Sequence, residues 1–226
     1  MNWISRFIKP KIKSLFKKQG SKSEEALWLT CDCKKLIYKD ELFKNLSVCP
    51  SCGFHHKLSC IERFKIFFDN EEFQILKTPE PDDDPLKFPK YAAKLKLARE
   101  KTKQSDALMI AEGKLDGLRV TVGTQNFNFI GGSVGSASGE AFIHGVQNAI
   151  TNQTPFIFFS CSGGQKMQEG AVSLVQMTRT VLAVNELKKN NLPYIVVMTN
   201  PTTGGVTASF ATLGDILIGE KDAVIG

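Results

Sequence analysis

Four cysteines near the start of the chain have the residue type and spacing of a metal site. Cys31 and Cys33 form a CxC pair, and Cys49 and Cys52 form a CxxC pair within CPSCG. Zinc takes four thiolate or imidazole ligands in a tetrahedron. The residues therefore predict one structural Zn²⁺ held by four cysteines. Because the first pair is one residue shorter than a usual knuckle, two alternatives stay open: His55 or His56 replaces a cysteine, or the segment is a reduced, metal-free loop.

A second kind of chemistry is indicated by three glycine-rich segments, GGSVGSASG, CSGGQKMQEG and TTGGVTASF. Backbone N–H groups at a glycine turn that leads into a helix favour phosphate, carboxylate or a developing oxyanion. The sequence contains no GxGxxG and no GxxxxGK[ST] motif, and SCSGG is not a GxSxG nucleophile elbow, because Ser160 stands where the first glycine should be. Cys161 has the residue type of a nucleophile, but its setting after IFFS is typical of a small buried thiol. This pattern suits a reaction through an enolate in which the substrate or a cofactor supplies the base.

The elements that must position these residues are strands that alternate with helices. Short apolar runs such as PFIFFS and PYIVVMT predict buried strands, and the segments after them predict amphipathic helices. This alternation predicts an α/β fold. Composition divides the chain into four segments: a flexible basic tail over 1–26, a four-cysteine zinc ribbon over 27–60, a mostly helical connector over 61–107 and the α/β core over 108–226.

The net charge of +6 does not indicate a nucleic-acid binder, because its distribution is uneven. Residues 1–22 hold seven basic side chains and no acidic one, which leaves a net charge of −1 on the remaining 204 residues. The body of the protein is therefore not a polyanion-binding surface by bulk charge. No stretch is apolar enough for a signal peptide or a membrane span. Six cysteines without a secretory signal indicate a reducing compartment, so we expect a cytoplasmic protein.

An ordered series of motifs carries a family resemblance over about residues 28–226. It comprises NLSVCPSCGFHHKLSCIERF, FIGGSVGSASGE, SGGQKMQEG, LVQMTRTVLAV and LPYIVVMTNPTTGGVTASFATLGD. In these motifs the chain resembles the β subunits of bacterial acetyl-CoA carboxylase carboxyltransferases. The resemblance implies a crotonase-like spiral of ββα units with an N-terminal zinc ribbon. It also implies transfer of a carboxyl group from carboxybiotin, on the biotin carboxyl carrier protein, to acetyl-CoA, which gives malonyl-CoA for fatty acid biosynthesis.

The resemblance also implies partners and site residues. The partners are the carboxyltransferase α subunit in an α2β2 assembly, the carrier protein, and biotin carboxylase in the wider complex. Gly204 and Gly205 match the family's oxyanion-hole glycines, which act through their backbone. The segment near CoA is matched by Gly163, Gly164, Lys166 and Met167.

The chain departs from the family pattern at three places: CxC replaces the first CxxC, GGQKM replaces GGARM, and the family continues past AVIG, so the core looks cut short. Lysine keeps the charge of arginine but loses its planar fork. Two other functions stay open from the sequence: a zinc-ribbon nucleic-acid-binding protein, and a carboxyltransferase for another acyl-CoA.

Overall fold

The computed structural model describes residues 27–80 and 84–226. The predicted basic tail over 1–26 lies outside the described residues. The chain divides into two compact units, the first ending at His56 and the second running from Lys57 to Gly226. Of the helices in the described part, none combines the length and the apolar character that crossing a membrane requires.

The first unit is a small cysteine module. Strand β1 (Trp28–Thr30) pairs antiparallel with β2 (Leu36–Tyr38), and helix α1 (Lys39–Lys44) follows directly. Its small core consists of Cys31, Ile37, Leu42 and Cys49. A core of this size leaves little apolar burial to hold the module together, so a bound metal would contribute much of its stability.

The second unit is built on a sheet that runs in chain order. Among the described residues, six strands form it: β3 (Phe73–Ile75), β4 (Leu108–Leu115), β5 (Leu118–Gln125), β6 (Phe156–Ser162), β7 (Tyr194–Thr202) and β8 (Ile216–Gly219). The pairings from β3 to β5 are antiparallel, and those from β5 to β8 are parallel. The helices of this unit are α2 (Cys60–Phe67), α3 (Tyr91–Thr102), α4 (Ser136–Asn152) and α5 (Gly170–Lys189). Because the parallel strands all point the same way, the turns after them lie at one edge of the sheet.

Strand β6 is buried on both faces, as its apolar sequence predicts. Phe156 and Phe158 pack into the cluster that includes residues of α4 and α5. The alternate residues Ile157 and Phe159 pack into the cluster that includes Phe64 of α2. Side chains alternate across a strand, so a strand covered on both sides is apolar throughout.

The connector and the C-terminal segment differ from the sequence-based prediction. Within residues 61–107, which the sequence predicts as mostly helical, the strand β3 also forms and pairs with β4. A strand of three residues gives too short an alternation to be detected from sequence. The expected short helix after Gly205 is a series of turns followed by a 3₁₀ helix at Phe210–Thr212. Near the C-terminus β8 forms, and Ile225 makes an isolated bridge with Thr202.

Candidate functional site

The three glycine turns lie at the same edge of the sheet. Gly131–Gly132 follows β5, Gly163–Gly164 follows β6, and Gly204–Gly205 follows β7. The N–H of Gly163 donates a hydrogen bond of 2.9 Å to the carbonyl of Gly131, which joins the first two turns. The sequence predicts these turns separately, and the parallel strands bring them together.

The second and third turns are in direct backbone contact. A Cβ on Gly164 would lie 3.2 Å from the backbone nitrogen of Gly205, and a Cβ on Gly204 would lie 3.1 Å from the carbonyl oxygen of Gly163. Gly164 and Gly204 also have φ values of 119° and 62°, which other residues rarely adopt. Glycine is therefore required at both positions by space and by backbone conformation.

The backbone donors of these turns differ in availability. The Gly164 N–H donates to the Ser162 hydroxyl at 3.0 Å, and the Gly204 N–H donates to the Gly226 carbonyl at 2.9 Å. The Gly205 N–H has no hydrogen-bond partner among the residues that the structure describes. In this conformation the Gly226 carbonyl occupies the Gly204 donor, and the assignment of Gly204 and Gly205 to an oxyanion hole stays a prediction.

Lys166 lies beneath the second turn and not on its surface. Its side chain is 0% exposed, and its ammonium lies 2.7 Å from Asp106 Oδ2 and 3.5 Å from Glu169 Oε1. The contact between Lys166 and CoA stays a prediction, and in this conformation the ammonium is enclosed by two carboxylates. Of the other residues expected near CoA, Gly163 is exposed, Gly164 is buried and Met167 is 79% exposed.

The start of α4 is already occupied by a carboxylate of the protein. Glu169 Oε2 accepts a 2.6 Å hydrogen bond from the backbone N–H of Ser136, the first residue of that helix. An acidic side chain at this position neutralises the helix dipole. The first of the three turns therefore does not provide the anion site that its glycine-to-helix sequence indicates.

Three site residues escaped sequence reasoning: Asp106, Glu169 and Gln125. The Gln125 side chain accepts a hydrogen bond from the Cys161 N–H at 3.2 Å and donates one to the Gly132 carbonyl at 3.1 Å, so it joins β6 to the first glycine turn. Asp106 and Gln125 lie in no quoted motif, and their partners Lys166 and Cys161 lie far away in the chain; Glu169 lies in SGGQKMQEG, but its contact with the Ser136 N–H is equally distant in sequence. Burial raises the pKa of the Cys161 thiol, which agrees with the interpretation of this residue as a buried thiol and not a nucleophile.

In the first unit, the structure brings the four predicted cysteines together. Their sulfur atoms all lie within 4.8 Å of one another, with Cys31 Sγ 3.6 Å from Cys52 Sγ and Cys33 Sγ 3.9 Å from Cys49 Sγ. Four sulfurs at about 2.3 Å from a tetrahedral zinc ion are about 3.8 Å apart. The donor set and its spacing therefore fit Zn²⁺, including the shortened CxC pair.

The two knuckles reach this arrangement with different backbones. In the second, the Gly53 N–H donates to the Cys49 carbonyl, and Gly53 has a φ of 72°. In the first, the Lys34 N–H donates to the Cys31 carbonyl at 2.8 Å, and Lys34 has a φ of 69°. A lysine therefore takes the left-handed conformation that glycine takes in the other knuckle, at some cost in backbone strain.

Comparisons with known proteins identify the family of this chain. The carboxyl transferase domain family matches residues 81–225. The chain is 48% identical to the acetyl-coenzyme A carboxylase carboxyl transferase subunit beta of Pelagibacter ubique, over the full chain and 75% of that protein. It is 46% identical to the protein of the same name from Methylocella silvestris, over the full chain and 79% of that protein.

Solved structures show the same fold. Transcarboxylase 12S with hydrolysed methylmalonyl-coenzyme A matches with a TM-score of 0.63 and 25% identity, over 75% of this chain and 31% of that one. A Pseudomonas malonate decarboxylase hetero-dimer matches with a TM-score of 0.56 and 20% identity, over 75% of this chain and 64% of that one.

The sheet, its glycine turns and the domain match define a carboxyl transferase of crotonase-like fold, which confirms the α/β prediction. The chain belongs to the family of acetyl-CoA carboxylase carboxyl transferase beta subunits.

Proposed function

We propose that this chain acts as the beta subunit of a biotin-dependent carboxyltransferase. The complex would move a carboxyl group from carboxybiotin, held on the biotin carboxyl carrier protein, to acetyl-CoA and so form malonyl-CoA. The proposal is supported by the 45–48% identity to beta subunits over the whole chain. The structural observation that carries it is the junction of the Gly163–Gly164 and Gly204–Gly205 turns, where the Gly205 N–H has no hydrogen-bond partner among the described residues.

Carboxyl transfer of this kind requires little acid–base chemistry from the protein. Carboxybiotin breaks down to carbon dioxide and a biotin anion, and the ureido nitrogen of that anion takes a proton from the acetyl methyl group. The resulting enolate then attacks carbon dioxide. What remains for the protein is to stabilise oxyanions, to hold two carriers close together and to exclude water. A site made of backbone N–H groups fits these tasks.

Within this site we assign the donor role to Gly205, because its N–H is unpartnered among the described residues. Gly204 would instead act through its backbone conformation, since its φ of 62° lets the chain pass close to the Gly163 carbonyl. The exposed Gly163 and Met167 would line the path of the acyl-CoA.

We assign one structural zinc ion to Cys31, Cys33, Cys49 and Cys52, on the basis of the sulfur spacing. When bound, the ion would cross-link two short knuckles in a module that has only a small apolar core. All six cysteines are free of disulfides, which supports a reducing compartment such as the cytoplasm.

Helix α5 supports the assignment of a partner subunit. Its polar residues Ser173 and Thr180 are buried, whereas Leu174, Val175 and Leu182 are 58%, 54% and 59% exposed. A helix that exposes apolar residues over several turns marks a surface for another protein. We assign the carboxyltransferase alpha subunit to this surface, in an α2β2 assembly, because the relatives are subunits of a carboxylase. The biotin carboxyl carrier protein and biotin carboxylase would complete the wider complex.

The test is a carboxyl exchange assay with zinc measured in the same preparation. The chain and its alpha partner are mixed with malonyl-CoA and a soluble biotin derivative, and we expect biotin-dependent exchange with about one zinc ion per chain. The alpha partner alone is the control. A full-length beta subunit is measured under the same conditions. If it is active and this chain gives no exchange, catalysis by this chain is ruled out. Methylmalonyl-CoA in place of malonyl-CoA tests the choice of acyl group.

A further inference from the structure

A buried ionic cluster lies directly under the glycine turns. The side chain of Lys166 is enclosed by Asp106, by Glu169 and by the ring of Phe129, whose centroid is 5.8 Å from the ammonium. Lys166, Asp106 and Glu169 have exposed fractions of 1%, 8% and 2%. Burying charges is costly unless they are paired and hydrogen-bonded, so the arrangement of this cluster is tightly constrained.

Each carboxylate of the cluster also holds the start of α4. Asp106 Oδ1 accepts hydrogen bonds from the Ser138 hydroxyl and, at 2.7 Å, from the Ala107 N–H. Glu169 accepts from the Ser136 N–H at 2.6 Å. A Cβ on Gly135, just before the helix, would lie only 2.2 Å from Glu169 Oε1. The first turn of α4 is thus fixed by two carboxylates that share one ammonium.

The backbone of Lys166 connects this cluster to the turn above it. Its N–H donates to the Val134 carbonyl at 2.9 Å, and the Val134 N–H donates to the Gly164 carbonyl at 2.9 Å. Lys166 also follows the Gly163–Gly164 turn after a single residue. A change at Lys166 is therefore transmitted to both the Gly164 carbonyl and the first turn of α4.

From these contacts we propose that Lys166 is a positioning residue of the transfer site. With Asp106 and Glu169 it holds the Gly163–Gly164 turn and the first turn of α4 in register, and it does not bind CoA. This inference rests on the proposed carboxyltransferase function. Replacing Lys166 by a neutral residue leaves two unneutralised carboxylates side by side, which drives the start of α4 and the glycine turn apart.

The experiment measures kcat and KM for malonyl-CoA in the exchange assay with the alpha partner. We expect Lys166→Met to lower kcat by roughly 10- to 100-fold, the effect of a displacement of about 1 Å, with KM changed by less than about threefold. Lys166→Arg keeps the charge and should recover most of the rate. Lys166→Met combined with Asp106→Asn restores the net charge of the cluster and should recover part of it.

A matched control is Lys65→Met, because Lys65 of α2 pairs with Glu71 at 4.0 Å but both side chains are about half-exposed, and neither lies on the partner surface assigned to α5. It should leave kcat and KM unchanged. A higher KM with an unchanged kcat in Lys166→Met would indicate contact with CoA and overturn the proposal. A double variant no more active than Lys166→Met would also overturn it. If Lys166→Met does not fold, the double variant is measured in its place. Glu169→Gln is then measured as well, and a wild-type kcat in that variant contradicts the proposal.

A second readout separates this proposal from the proposed function. Amide hydrogen exchange at the start of α4 reports on the Ser136 N–H without any turnover. We expect faster exchange there in Lys166→Met and no change in Lys65→Met. Unchanged exchange would overturn the positioning role, whereas an inactive wild-type complex would overturn the function and leave this measurement valid.

Discussion

Replacing Gly164 by alanine tests whether the two glycine turns depend on backbone contact. Gly164 has a φ of 119°, and a Cβ there would lie 3.2 Å from the Gly205 nitrogen. A non-glycine residue in such a conformation costs about 1–3 kcal/mol. The contact can be relieved only by moving the Gly205 N–H, which we assign as the oxyanion donor. Gly164→Ala should therefore lose both stability and activity.

The neighbouring glycine provides a matched control with the same chemical change. At Gly163 a Cβ would meet only the Gly131 carbonyl, at 3.7 Å, and no positive φ is required. Gly163→Ala should change the free energy of unfolding by less than about 0.5 kcal/mol. For a unit of this size, about 1–3 kcal/mol corresponds to roughly 2–12 °C in melting temperature, so the two variants are separable by thermal unfolding.

The activity of Gly164→Ala is measured as carboxyl exchange in the complex with the alpha partner. A displaced donor should lower kcat by up to about 100-fold. The reasoning is refuted if Gly164→Ala retains the wild-type kcat and melts within about 1 °C of Gly163→Ala, which is half of the roughly 2 °C minimum expected above. In that case the turns would tolerate a side chain at their contact.

Three further predictions concern single side chains. Tyr194→Phe should stabilise the protein by about 1 kcal/mol in denaturant unfolding, because the buried Tyr194 hydroxyl has no partner among the described residues. Tyr91→Phe should destabilise the protein in the same measurement, because the Tyr91 hydroxyl donates to the buried carboxylate of Glu169 at 3.1 Å. Lys34→Gly should relieve the left-handed strain at φ 69° and raise zinc affinity by about fivefold, or about 1 kcal/mol, in chelator competition; unchanged affinity would contradict this. Cys31→Ser should reduce zinc affinity less than Cys49→Ser, because Cys31 belongs to the shortened knuckle; the opposite ranking would refute it.

The parts of the fold that follow from local pattern could be predicted. The apolar runs of β6 and β7 and the amphipathic segments of α4 and α5 form the expected elements. Strand β3 could not be predicted, because its three residues form a strand only through pairing with β4. Such pairing depends on residues more than thirty positions away, and periodicity does not record it.

The candidate site, like the fold, has one part that could be predicted from the sequence and another part that could not. Glycine turns and cysteine spacing are local signals, and both predicted groups come together in the structure. The burial of Lys166 was missed because its partner Asp106 is 60 positions earlier in the chain. A lysine beside two glycines has the same sequence whether it faces a ligand or an internal carboxylate, and only the fold distinguishes the two cases.

The apolar surface of α5 has a consequence for how the protein is produced. Leu174, Val175 and Leu182 are solvent-exposed in the single chain. A chain made in excess of its partner would present this surface to other copies and would tend to aggregate or be degraded. Supply of the two subunits in matched amounts would then be a condition for keeping this chain folded and available, independent of any effect on catalysis.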